Sequence, residues 1–256
     1  MIKVFIFISL FFFSLAAFYS GTARSVRPPK ITSTEALIKA MQQRYARKWA
    51  KTITFTQYNT HYAADTVKEQ SVWYEALEYP RNFRIDFGDP KEGNAVIFSQ
   101  DSVYNFKAGQ LATKRAQPNN LTLLAGGIYF VSAEEALKRL KAAKYDTSLL
   151  HEDSWEGRPV YVVGAMPGDV VSEQFWVDKA NLYLVRTINR TSDGHFQEAR
   201  FGKQVRVGGG WSETQVLFLS DGKRRQLEEY KNIQANPVLP PALFQASEFG
   251  KVHWLK

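Results

Sequence analysis

The chain has 256 residues, a formal charge of +8 and no cysteine. Without thiols it can have no disulfide, zinc thiolate, cysteine nucleophile or lipid-acceptor cysteine, so the mature chain is expected to be soluble rather than lipid-tethered. A pI of about 9.5 raises the question of an anionic partner; nucleic acid is set aside because no basic tract or reading motif is present. That leaves an anionic membrane surface, an acidic envelope protein, or a solvated basic surface that only aids solubility.

At the N-terminus Lys3 precedes an apolar run from Val4 to Phe18, broken by Ser9 and Ser14, and the small residues Gly21 and Ala23 follow. This order predicts a secretory signal peptide over 1–23, cleaved after Ala23, with cleavage after Ala17 as the competitor. The run falls short of the roughly 20 apolar residues of a bilayer span, so export to the periplasm is expected rather than anchoring. Residues 24–256 are expected to form a single domain, large enough to bury a core without staples. Gly208, Gly209 and Gly210 read as a loop between strands, not as a linker.

In chain order, Leu37, Ile38, Met41, Tyr45 and Trp49 recur at helical spacing, which predicts an amphipathic helix over 34–49 capped by Thr34. From Thr52 the period becomes two. Strands are expected around Ile53 and Phe55, over 72–77, around Phe83, Ile85 and Phe87, and over 95–98 and 102–106. Ser132 with Glu135 three positions later is a capping box, opening a second helix over 132–144 with Ala136, Leu137, Leu140 and Ala143 on one side. Strands resume over 159–163, 173–178, 182–189, 196–201, 211–220 and 225–233. Asp193-Gly194 and Asp221-Gly222 are hairpin turns. The expectation is an antiparallel meander of about ten strands with two helices, a mainly β barrel, open or closed.

No nucleophile elbow, H-E-x-x-H, P-loop or dinucleotide fingerprint occurs. His61, His151, His195 and His253 are far apart, and His151-Glu152-Asp153 is a weak metal-site candidate. No enzyme activity, metal or cofactor is therefore expected. Aromatic residues make up 14% of the chain, and many fall on the expected strands, where they could line an apolar cavity for an acyl chain or small molecule. Ordinary core packing is the competing reading for each of them.

The Thr52, Phe55, Gln57 strand and the Trp73 strand running into Tyr79-Pro80-Arg81-Asn82-Phe83-Arg84 are two of the motifs that place the chain among known folds. Phe175-Trp176-Val177-Asp178 before Leu182-Tyr183-Leu184-Val185-Arg186, and Tyr230-x-Asn232 leading to Leu239-Pro240-Pro241-Ala242-Leu243-Phe244, are two more. Together they resemble the LolA/LolB superfamily of periplasmic lipoprotein carriers. The resemblance implies an open antiparallel half-barrel with an N-terminal helix and a helical lid. It also implies a non-enzymatic binder of lipid or lipidated protein, with Phe55, Trp73, Phe83, Phe98, Trp176 and Phe218 as candidate lining and Ala136, Leu137 and Leu140 as lid. An extracytoplasmic sensor or protein-interaction module on the same fold is the alternative. One departure stands out: in the best-known carriers an arginine before the turn proline is associated with keeping the lid closed, whereas here Tyr79 precedes Pro80 and Arg81 follows it.

Overall fold

A computed structural model describes residues 30–191 and 193–255; the expected signal peptide lies outside the described residues. The first meander comprises β1 (Thr52–Ala63), β2 (Thr66–Glu78), β3 (Asn82–Phe87), β4 (Ala95–Ser99), β5 (Ser102–Lys107) and β6 (Gln110–Ala116). The second comprises β7 (Leu150–Trp155), β8 (Arg158–Val163), β9 (Gln174–Asp178), β10 (Leu184–Arg190) and β11 (Phe196–Gly202). A small ribbon follows, of β12 (Val205–Val207) and β13 (Gly210–Ser212), and then β14 (Gln215–Ser220) and β15 (Lys223–Ala235). Because β15 pairs with β1, the two meanders fuse into one 13-stranded antiparallel sheet. Its edges, β6 and β7, do not pair with each other, so the barrel is an open one.

Helices α1 (Thr34–Tyr45), α2 (Asn120–Ala125) and α3 (Ala133–Ala142) cover the inner face. The segment carrying α2 and α3 is the chain's route from edge strand β6 to edge strand β7. Each helix starts on a side-chain cap: Ser33 accepts from the Ala36 N–H, Asn119 from Thr122 and Ser132 from Glu135. The cap of α1 is thus Ser33, one residue before the expected Thr34, which is buried in the helix. The helix also stops at Tyr45 rather than reaching Trp49, since Arg47 takes a φ of 60°. Trp49 still turns inward and stacks on Tyr129, ring centroids 3.9 Å apart.

The main core joins Leu37, Ile38 and Met41 of α1 and Leu140 of α3 to Ile53, Leu77 and Val163 of the sheet. Gln42 of α1 donates to the carbonyls of Ile128 and Val131, both at 2.9 Å, and so ties the α2–α3 connection to α1. Gly126 is required there: a Cβ would lie 2.2 Å from the Tyr79 ring. The opposite face of β2–β5 is covered by the C-terminal segment, where Leu243 and Phe244 pack on Ala76, and Phe249 stacks on Phe106 at 3.8 Å.

The sheet has more strands than the sequence pattern predicts, and the additions are chiefly its edges. Every residue of β6 is exposed, and β7 reads Leu-His-Glu-Asp-Ser-Trp with three exposed positions. Edge strands can stay polar because one side of the ladder faces water, so they lack the alternation that marks buried strands.

Candidate functional site: the inner face and its helical plug

Register decides which side chains share the inner face. Phe55 stands opposite Glu75, Gln57 opposite Trp73, and Leu77 opposite Phe83, which in turn faces Phe98. On the other side of β1, Gln57 faces Tyr230, Asn59 faces Glu228 and His61 faces Gln226, which pairs with Phe218. The inner face of these five strands therefore carries Phe83, Leu77, Glu75, Trp73, Phe55, Tyr230, Glu228 and Phe218 together.

Phe55 stacks on Tyr230 with ring centroids 4.3 Å apart, and Phe83 lies 6.0 Å from Phe98. Phe55, Phe83, Leu77 and Tyr230 line a cavity of 60 Å³ that is roofed by Leu121, Thr122 and Ala125 of α2 and flanked by Trp211. Trp73 lies further along the strands, edge-on to Phe87 at 4.9 Å. Phe218 is partly buried against the core. Trp176 is placed apart from the others: it pairs with Arg186 on the opposite face, edge-on to Trp155, with the Arg186 guanidinium 4.6 Å from its ring centroid. Its neighbour Phe175 takes the inner position instead, packing edge-on to Tyr145 at 5.4 Å.

In α3, Ala136 and Leu140 are buried in the core and Leu137 is partly buried against it. The rim of this plug is ionic. Arg139 meets Asp101 of the β4–β5 turn at 2.9 Å, and Glu135 at 2.8 Å. Arg81, in the β2–β3 turn after a cis Tyr79–Pro80 bond, reaches Glu135 at 3.3 Å and Asp101 at 3.4 Å. The residue after the proline thus makes the link to α3.

Sequence reasoning missed α2 and three carboxyls: Glu75 and Glu228 on the inner face, and Glu213, which lines the cavity from the β13–β14 connection. The signal for α2 was Asn119 ahead of Leu-Thr-Leu-Leu, a cap before a short apolar run. Alternation alone puts Glu75 on the face of Trp73 and Leu77. Glu75 is 3% exposed and Glu228 8%. Burial and the charges of Glu228 and Glu213 push the Glu75 carboxyl well above the usual range. Burial likewise raises Glu213 and takes Glu228 to about 7. Tyr230 donates to Glu228 at 2.6 Å and Gln226 donates to it at 2.8 Å. His151 sits on edge strand β7 with its Nε2 3.9 Å from Asp153. Among the described residues no group of three His, Asp or Glu side chains could hold a metal ion.

No family model matches the sequence, and no curated protein does. Solved structures do. A LolA superfamily protein from Nitrosomonas europaea superposes with a TM-score of 0.57 at 12% identity, over 85% of this chain and 99% of its own. A DUF1329 family protein from Desulfovibrio piger gives 0.60 at 15%, over 84% and 97%. A Vibrio parahaemolyticus domain of outer membrane lipoprotein-sorting type gives 0.55 at 14%, over 84% and 99%. With its open antiparallel sheet, inner-face helices and ion-paired helical connection, this chain has the fold of the LolA superfamily.

Proposed function

We propose that this protein is an exported, non-enzymatic carrier of the periplasm that shelters acyl chains of a lipid or lipidated protein inside its half-barrel. The observation that carries the reading is the helical plug. An aromatic and aliphatic inner face is covered by α2 and α3, and the rim of that cover is made of partly exposed ion pairs between Arg81, Asp101, Glu135 and Arg139. The present cavity of 60 Å³ equals the liquid volume of only about two waters. Uptake of a chain therefore requires the α2–α3 segment to lift, exchanging its apolar contacts for those of the ligand at about 25 cal/mol per Å² buried. On this reading Phe55, Trp73, Phe83, Phe98 and Phe218 form the lining, and Trp176 stands outside it.

Native mass spectrometry of the purified mature protein, followed by solvent extraction, tests the proposal. Co-purified lipid or acylated peptide near one equivalent is expected. An empty protein that also fails to take up a fluorescent fatty acid overturns it. The alternative, a sensor or protein-interaction module, draws on β6, an exposed edge carrying Lys114 and Arg115 to which another strand can add. Salt-sensitive binding of an acidic envelope protein by an otherwise empty barrel would favour it.

A further inference from the structure

The inner face contains a polar layer that an acyl-chain cavity does not need. Glu75 and Glu228 lie diagonally across β1 from each other, on either side of Gln57. The charges acting on Glu75 are those of Glu228 and Glu213, both of its own sign. Among the described residues no hydrogen-bond donor or cation meets the Glu75 carboxyl, although the chain has 33 lysines and arginines. A second polar group in this layer is also unpaired. Asn59, 2% exposed, accepts from Gln57 at 2.6 Å and Gln226 at 2.8 Å, but its Nδ2 has no partner. Buried polar groups are nearly always satisfied, and a cluster left open calls for a missing partner. Aromatic rings flank it: Phe55 is directly opposite Glu75, Trp73 is next along β2, and Tyr230 holds Glu228.

We infer that Glu75, Glu228 and Asn59 form a head-group site for an ammonium-bearing amphiphile whose apolar tail enters the cavity lined by Phe55, Phe83 and Tyr230. This rests on the acyl-chain reading and narrows it to amines. The ammonium donates to the two carboxylates, an oxygen beside it accepts from Asn59 Nδ2, and the rings add cation–π attraction. Burial raises both carboxyls, and a bound cation favours their charged forms, so its entry is accompanied by release of protons.

Calorimetric titration with decylamine and decanol, two probes with the same tail, tests this. Decylamine is expected to bind about tenfold or more tighter, with an enthalpy that changes with the ionisation heat of the buffer. The E75Q/E228Q variant is expected to lose both the preference and the buffer dependence while still binding decanol. If decanol binds the unsubstituted protein as well as decylamine does, the head-group site is overturned and the acyl-chain reading survives. If neither binds, both fall. The buffer dependence is measured on the unsubstituted protein, so a poorly folding variant does not shield the inference.

Discussion

Arg139 of α3 donates two hydrogen bonds to the Asp101 carboxylate, at 3.0 and 2.9 Å, and so fastens the helical plug to the turn between β4 and β5. The Arg139 side chain is 13% exposed and that of Asp101 37%, so water screens the pair. It contributes at most about 1 kcal/mol, which on the proposed carrier reading is enough to bias the α2–α3 segment without locking it. Asp101→Asn is expected to lower the urea midpoint only slightly and to speed entry of a fluorescent fatty acid severalfold. Added salt should act in the same direction on the unsubstituted protein. Unchanged entry rates would mean that this pair does not restrain the plug.

Leu140 is buried to 1% exposure beneath that latch. Leu140→Ala is expected to cost about 2–5 kcal/mol by lost transfer energy and the cavity it leaves. Leu137→Ala, at a partly buried position, should cost clearly less. Urea denaturation of both variants checks the order, and equal losses would show that the two leucines share one environment.

Glu228 gives the stability a pH dependence of definite sign. Its folded value of about 7 lies above the ordinary 4.5, so the folded chain keeps a proton that the unfolded chain gives up. The resulting stabilisation is complete below about pH 4.5 and is lost as pH rises through about 7, a difference of about 3 kcal/mol. Glu75 and Glu213, also raised, add in the same direction. The urea midpoint should thus fall between about pH 5 and pH 8, and Glu228→Gln should flatten the curve. A midpoint that rises over this range would contradict the buried acidic layer.

On the outer face Arg84 and Asp86 make a buried pair through two 2.9 Å hydrogen bonds, and Arg84 also donates to the Val252 carbonyl of the C-terminal segment. Burial works against the Asp86 charge, but the bonds from His253 and Arg84 outweigh it and hold the carboxyl below its usual range. Asp86→Asn leaves the guanidinium buried without its counter-charge. A loss of about 3–5 kcal/mol is expected, together with faster proteolysis of the segment after Pro240. A neutral effect on both would detach the pair from the stability of this face.

Much of the fold was legible because burial imposes a period. Leu37, Ile38, Met41 and Tyr45 had to share one side of a helix, and Ile53, Phe55, Leu77 and Phe83 recurred as half-buried strands do. Ser132 with Glu135 located the start of α3, since helix N–H groups need a partner. β6 was not legible, because an exposed edge imposes no pattern on its side chains. The candidate lining was legible only in part: periodicity shows that Phe175 and Trp176 face opposite ways, but not which of them faces inward.

The sequence by itself thus determined the element types, the antiparallel class and a surplus of aromatic residues on strands, since these follow from local period and turn chemistry. The tertiary structure decided the pairing of β15 with β1, the side of the sheet that the helices occupy, and the placing of Glu75 and Glu228 on one face on either side of β1. Those contacts join residues far apart in the chain. Register and packing fix them, and no local pattern encodes either.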